Sequence, residues 1–246
     1  MTKPKQALRI TKTPRSGPRT LCIDIGGTGL KALILDAAGA PLTERARVKT
    51  PRPAQPLAVM DALEELVTPL GRFDRISVGF PGVVEEGVVR TAPNLHPKWN
   101  GLPFAKQLTE RLGKPARVLN DAGLQGAGVV EGKGVELLLT LGTGMGCALF
   151  VDGRYVPNLE LAHHPFRRGK TYEEYVGLDA LKKKGAATWN HHVKRVVEQV
   201  LPVFNPRRLY LGGGNATRLT LELPKSVKVV SNLAGLLGGI VLWRDA

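Results

Sequence analysis

Four short constellations in this chain carry groups able to do chemistry. The first is Asp24-Ile-Gly26-Gly27-Thr28-Gly29. Glycines let a ligand come close to the backbone, and bare N–H groups in such a turn cradle phosphate oxygens. Asp24 enters the turn as a fixed carboxylate, suited to holding Mg²⁺ or its water shell. The alternative is a tight hairpin turn whose glycines serve geometry alone. The second constellation, Gly142-Thr143-Gly144-Met-Gly146, repeats the design between two further apolar runs. Two similar strand–turn–strand units suggest two related halves facing one ligand. Neither turn is a Walker A loop, since no Gly-Lys-Ser/Thr follows. Neither is a dinucleotide fingerprint, because Gly142-x-Gly144-x-Gly146 lacks the third spacing and opens a strand.

The third constellation is Asn120-Asp121, where an apolar run gives way to a small-residue helix. Ligands of open α/β sheets gather at the carboxyl ends of strands. An Asp there can accept the proton of an attacking hydroxyl, as the catalytic Asp of kinases does. The alternative is a plain helix N-cap. The fourth is Glu160-Leu-Ala-His163, whose i, i+3 pair can bind two neighbouring sugar hydroxyls. Zinc would need four ligands, and neither a cysteine cluster nor a complete set is evident. His191-His192 reads as helix surface, and Glu173 and Glu174 as a solvated helix start.

Alternating strands and helices must hold these groups, which implies α/β layers. Apolar runs at 21–25 and 30–35 flank the first turn and read as a buried hairpin. Helical spacing covers 57–70, and 51–56 reads as a proline-rich connector. A strand at 75–80 ends in Pro81-Gly82, a turn or hairpin follows at 83–89, and 91–102 is loop-like, with Asn94, His96 and Trp99. A helix at 104–112, a strand at 116–119 and a helix at 122–130 complete the first half. The second half has a hairpin at 136–156, a polar loop at 158–170 and helices at 172–183 and 189–204. A strand at 208–211 enters Gly212-Gly213-Gly214, then come a strand at 227–230 and a small-residue helix at 233–243.

The chain has 246 residues, enough for one large or two small domains, and 43% of them are hydrophobic. No apolar run reaches the roughly 18–20 residues of a membrane span, and no signal-type segment opens the chain. Cys22 and Cys147 each lie in an apolar strand and read as buried small hydrophobes, so a reducing cytoplasm is the expected compartment. The net charge of +14 is uneven. Residues 1–19 are basic without acids and read as a flexible tail. Residues 164–225 hold twelve basic residues against five acids, a field that attracts polyanions.

The ordered set Asp24-Ile-Gly-Gly-Thr-Gly, Gly79-Phe-Pro-Gly82, Pro93-Asn94-Leu, Asn120-Asp121-Ala, Gly142-Thr-Gly-x-Gly146, Glu160-x-x-His163 and Leu211-Gly-Gly-Gly214 resembles the ROK sugar kinases. It is most similar to their polyphosphate glucokinase branch, and the resemblance runs over residues 20–246. It implies an actin-like (ribonuclease H-like) α/β fold of two domains closing over a cleft. The expected domains are 20–121, with the terminal helix 233–246 packed back on it, and 122–232. The resemblance makes Asp121 the catalytic base. It makes Gly82, Asn94, Asn120, Glu160, His163 and Glu173 the sugar-binding set. Phosphate would be held by Gly26, Gly27, Thr28, Gly29 and Lys31, by Gly142, Thr143, Gly144 and Gly146, and by Gly212, Gly213 and Gly214. Mg²⁺ would sit at Asp24 through water, and a homodimer is expected. Two positions depart from the family pattern. The zinc-binding cysteine motif of many members is absent, with Tyr172-Glu173-Glu174-Tyr175 where it would end, so no zinc is expected. Ala162 replaces the usual glycine.

The expected activity is phosphoryl transfer to the 6-hydroxyl of glucose. Inorganic polyphosphate is the donor, with ATP as a second. The charge agrees, because a long phosphate polymer gains from a basic track, and 246 residues leave little material to enclose adenine. One rival is an ATP-dependent glucokinase or hexokinase of the same family. A rival of another class is a non-catalytic sugar- or nucleic-acid-binding regulator; Asp121 and both phosphate turns count against it, and nucleic acid and membrane are not expected partners.

Overall fold

The computed structural model describes residues 16–244, apart from the side chains of 232–236. Residues 1–15 of the expected tail lie outside the described residues. The chain forms two compact units. One comprises residues through Leu119 with the segment from Leu242, and the other is Asn120–Val241. Among the described residues no helix is long and apolar enough to cross a membrane.

In the first unit, β1 (Thr20–Ile25) and β2 (Leu30–Leu35) are almost continuously buried, as befits strands covered on both faces. They pair antiparallel, with Asp24 opposite Lys31. β3 (Ala46–Val48) joins the outer edge of β2; it is short and mostly exposed, and no periodicity announced it. α1 (Pro56–Val67) starts on a proline, whose missing N–H costs nothing at a helix start. β4 (Arg75–Phe80) runs parallel to β1 and sets Gly79 level with Asp24. A small hairpin, β5 (Val84–Glu85) and β6 (Val88–Val89), leads to α2 (Phe104–Leu112) and β7 (Ala116–Asn120). The sheet order is β3-β2-β1-β4-β7.

The second unit opens with α3 (Asp121–Ala127) and repeats the plan with β8 (Val135–Leu141), β9 (Met145–Val151) and β10 (Arg154–Val156). The expected loop at 158–170 contains a hairpin, β11 (Pro165–Arg167) and β12 (Lys170–Thr171). α4 (Tyr172–Val176) and α5 (Leu178–Phe204) follow, the latter kinked at Gly185. β13 (Arg208–Gly212), β14 (Val227–Val229) and α6 (Asn232–Val241) end the unit. The sheet order, β10-β9-β8-β13-β14, matches the first unit strand for strand: an antiparallel trio, then a strand parallel to its first member.

The structure differs from the sequence expectation at two helices. The expected helix over 172–183 is broken at Gly177, where the backbone is extended. A Cβ there would lie 2.8 Å from the Glu173 carbonyl oxygen and 2.9 Å from that of Thr143, so only glycine lets these segments meet. The terminal helix, expected on the first domain, packs on α3 in the second unit. Only the residues after it belong to the first unit: the Trp243 indole donates to Ser77 Oγ at 2.8 Å and stacks under the Arg117 guanidinium at 4.4 Å.

Candidate functional site

In the first unit the turn between β1 and β2 is closed by the Gly26 N–H donating to the Gly29 carbonyl at 3.0 Å, with Thr28 exposed at its tip. Asn94 lies against it. A Cβ on Gly27 would meet the Asn94 carbonyl oxygen at 3.4 Å and its Cβ at 3.7 Å. The loop bearing Asn94 is anchored by Trp99, which is fully buried, packs on Phe80 and Phe104 at 5.0 Å each, and donates to the Ala54 carbonyl at 2.9 Å. The same loop presses on Gly82, where a Cβ would lie 2.1 Å from the Thr91 carbonyl oxygen. The structure therefore brings together Gly26, Gly27, Thr28, Gly29, Gly82 and Asn94.

Asp24 and Lys31 form a half-buried ion pair at 2.6 Å, so the two side chains hold each other beside the turn. Among the described residues no three His, Cys, Asp or Glu side chains cluster as a metal set. Mg²⁺ keeps several waters and uses one or two carboxylates beside substrate phosphates. A single carboxylate shared with Lys31 fits such an ion through water. Sequence reasoning missed two further residues. Thr50 Oγ1 donates to the Gly26 carbonyl at 2.5 Å, and Arg52 Nη2 to the Gly27 carbonyl at 2.6 Å. Both sit in or beside the proline-rich stretch read as a connector, and neither carries a local signal.

In the second unit the turn between β8 and β9 is closed by the Gly142 N–H donating to the Gly144 carbonyl at 2.9 Å, with Thr143 exposed. The Gly146 N–H donates to Thr140 Oγ1 at 3.0 Å. Beyond Gly212, Gly213 adopts φ +87° and touches the Leu141 backbone. Asn215, buried and unremarked in the sequence, donates through Nδ2 to the Gly142 carbonyl at 2.9 Å. Gly212, Gly213 and Gly214 are thus strapped to the turn, with Gly214 exposed.

Glu173 and Glu174 separate here. Glu174 closes a capping box with Thr171, accepting the Thr171 N–H at 2.8 Å. Glu173 turns to the glycine loop, where the Met145 N–H donates to its Oε2 at 3.4 Å. A Cβ on Gly144 would fall 1.8 Å from that oxygen. Gly144→Ala is therefore expected to push Glu173 off the turn and to raise the KM for sugar at least ~10-fold, since each lost charged hydrogen bond is worth about 1.5–3 kcal/mol. Sugar-saturation kinetics check this; an unchanged KM would remove Glu173 from the site.

Glu160 lies 3.5 Å from His163 Nε2, just before the short turn Leu161–His163. Burial raises its pKa; His163 opposes the shift, and Glu173 adds to it. Among the described residues no N–H or O–H donates to its carboxylate, which leaves the oxygens for ligand hydroxyls. A raised folded pKa means ionisation costs stability as pH climbs from the unfolded value, about 4.3, through the folded one. Glu160→Gln is expected to raise Tm at pH 7, with the gain fading at pH 4 and below. Melting scans across pH check it, and a pH-independent gain would refute the electrostatic origin.

Asp121 is the first residue of α3. Asn120 caps that helix, accepting the N–H groups of Ala122 and Gly123 at 3.0 and 3.1 Å, and Asp121 Oδ1 accepts the Ala122 N–H as well, at 2.7 Å. Tyr155, also missed, lies against this helix: a Cβ on Gly123 would meet its Cζ at 2.8 Å. Burial pushes the Tyr155 hydroxyl up to about 12; the Asn158 N–H opposes this, and Glu160, Cys147 and Asp121 add to it. Cys22 and Cys147 are buried, and burial pushes each thiol up to about 12.

The ROK family model matches residues 20–157. The chain belongs to the ROK family. It is similar to the polyphosphate glucokinase of Mycobacterium tuberculosis (strain ATCC 25618 / H37Rv), at 34% identity over 88% of each chain. Among solved structures it resembles the inorganic polyphosphate/ATP-glucomannokinase of Arthrobacter sp. strain KM, with a TM-score of 0.83 and 33% identity over 92% of this chain and 98% of that one. A ROK family glucokinase from Streptomyces griseus, solved with glucose and AMPPNP, shares the fold at a TM-score of 0.75 and 19% identity, covering 93% and 100% of the two chains. The ROK chain described here therefore has the actin-like α/β fold of these proteins.

Proposed function

We propose that this protein transfers a phosphoryl group from inorganic polyphosphate to the 6-hydroxyl of glucose, with ATP as a second donor. At the coarser level it is a ROK-family sugar kinase, a phosphotransferase acting on a hydroxyl group. The observation that carries the reading is the pairing, in each unit, of a glycine turn with a sugar-type ligand: Asn94 against Gly27, and Glu173 against Gly144. Backbone N–H groups of the two turns grip phosphate oxygens. Asn94, Asn120, Glu160, His163 and Glu173 fix the sugar hydroxyls. Asp121 takes the proton of the 6-hydroxyl as that oxygen attacks. Phosphoryl transfer asks the protein chiefly for positioning and electrostatic stabilisation, which these groups supply. Mg²⁺ at Asp24 would neutralise donor charge when bound.

The donor choice is supported by the +14 charge and the similarity to proteins named for polyphosphate use. A homodimer and a cytoplasmic location belong to the same reading, which the two buried, free cysteines suit. The test is glucose 6-phosphate formation with Mg²⁺, comparing long-chain polyphosphate and ATP at matched ionic strength. Polyphosphate well above ATP is expected. ATP alone would replace the donor assignment, and no product with either would overturn the glucose assignment and turn the search first to other sugars.

A further inference from the structure

The second unit carries a groove of about 360 Å³ between β11 and the last helical stretch of α5, whose lining includes none of the residues assigned above. Phe166, Arg167, Arg195, Glu198 and Gln199 line it. We propose that this groove is a phosphate-anion site gripped by Arg167 and Arg195.

Among the described residues neither arginine forms an ion pair, although guanidinium forks favour bidentate oxyanion partners. Glu198, the one acid lining the groove, stands 3.9 Å from Lys194 on its own helix. His192 reports the local field. Burial lowers its pKa first, and the neighbouring His191 ring and the cations Arg167, Arg195 and Lys184 lower it further. Its Nδ1 is buried with no hydrogen-bond partner, which also disfavours a charged ring. Positive groups thus converge here from β11 and from both stretches of α5. The lysine run 182–184, exposed just before the kink at Gly185, extends the field.

Phe166 packs on Tyr172 and Tyr175 at 4.6 and 5.2 Å, and Tyr175 meets the His192 ring at 4.9 Å. These rings are engaged with one another in tilted and edge-on contacts, and the two guanidinium groups are the charged donors the groove offers. A phosphate group can come from the far end of a polyphosphate donor or from a free phosphate compound. The first source rests on the donor reading above.

The experiment follows the His192 ring resonances of the full chain by NMR during titration with inorganic tripolyphosphate. It compares wild type with Arg167→Gln/Arg195→Gln and with Lys182→Gln/Lys183→Gln. Wild type is expected to show a saturable His192 shift, and the double arginine variant at least a ~10-fold weaker one. The lysine variant should stay within ~3-fold of wild type. Matching melting temperatures and unperturbed Trp189 signals verify that the variants fold. A wild-type His192 unmoved at millimolar tripolyphosphate overturns the proposal, as does a double variant that binds unchanged. A shift with duplex DNA but not with tripolyphosphate also overturns it. The source comes from kinetics. A raised KM for long-chain polyphosphate with an unchanged KM for ATP supports the groove as a donor track. An unchanged donor KM, with inorganic phosphate reproducing the shift, supports a free phosphate ligand. Should the wild type take nothing from polyphosphate, the donor reading fails, and the tripolyphosphate titration still decides the groove.

Discussion

Replacing Asp121 by Asn is expected to lower turnover by about 10²–10⁴-fold, the usual contribution of a positioned general base, while glucose still binds. The substitution keeps the side chain's size and its Oδ1. That oxygen accepts the Ala122 N–H at 2.7 Å, and an amide oxygen can keep the bond. The helix stays capped by Asn120, whose side chain satisfies two of the free N–H groups. The stability cost is the loss of one negative charge from the first turn, about 0.3–1 kcal/mol. What the amide cannot do is take the proton released as the sugar oxygen attacks. The split between kcat and binding is therefore the diagnostic. Steady-state kinetics with saturating glucose, and calorimetric glucose binding in the absence of donor, measure both halves. Turnover within a few-fold of wild type would remove Asp121 as the base. Lost glucose binding with kcat preserved would make it a sugar ligand instead.

The glycine turns were legible because their signal is local: apolar runs on either side and small residues between. Asn120-Asp121 was legible for the same reason, as a strand end meeting a helix start. What escaped depends on contacts far apart in sequence. Residue type alone did not separate Glu173 from Glu174; the resemblance picked Glu173, and the structure holds Glu174 in the capping box with Thr171 and Glu173 at the glycine turn. The run 172–183 has helical character throughout, and its break at Gly177 comes from the Thr143 carbonyl on another strand pair. That Lys31 pairs with Asp24 comes from strand register, which the local sequence does not announce. Thr50, Arg52 and Asn215 hold the turns through single hydrogen bonds to carbonyls that no spacing rule announces. The small-residue character of α6 was visible, but the helix it presses on was not.

That last contact has the largest expected effect on stability. Gly238 of α6 is buried against α3: a Cβ there would fall 1.7 Å from the Leu124 carbonyl oxygen and 3.2 Å from the Gly128 nitrogen. The obstacle is helix backbone, which cannot swing aside as a flexible side chain can. α3 has no slack on its other sides. A Cβ on Gly126 would meet the Phe150 ring at 2.3 Å, and Gly123 has Tyr155 against it. Glycine in a helix costs about 0.5–1 kcal/mol relative to alanine, so a larger side chain would stabilise α6 were there room. Gly238→Val is instead expected to cost about 3 kcal/mol, the upper part of the usual overpacking range, because the helices must separate. For a chain of this size each kcal/mol lowers Tm by roughly 2–4 °C. Leu237, 42% exposed on the same helix, supplies the control: Leu237→Ala should move Tm by far less. Because Asp121 begins α3, the valine variant should also lose turnover at temperatures where it remains folded. Thermal melts and kcat at 20 °C test both effects. A Tm within 2 °C of wild type would mean the two helices are not pressed together, and normal kcat despite a lowered Tm would mean α3 holds Asp121 in place without help from α6.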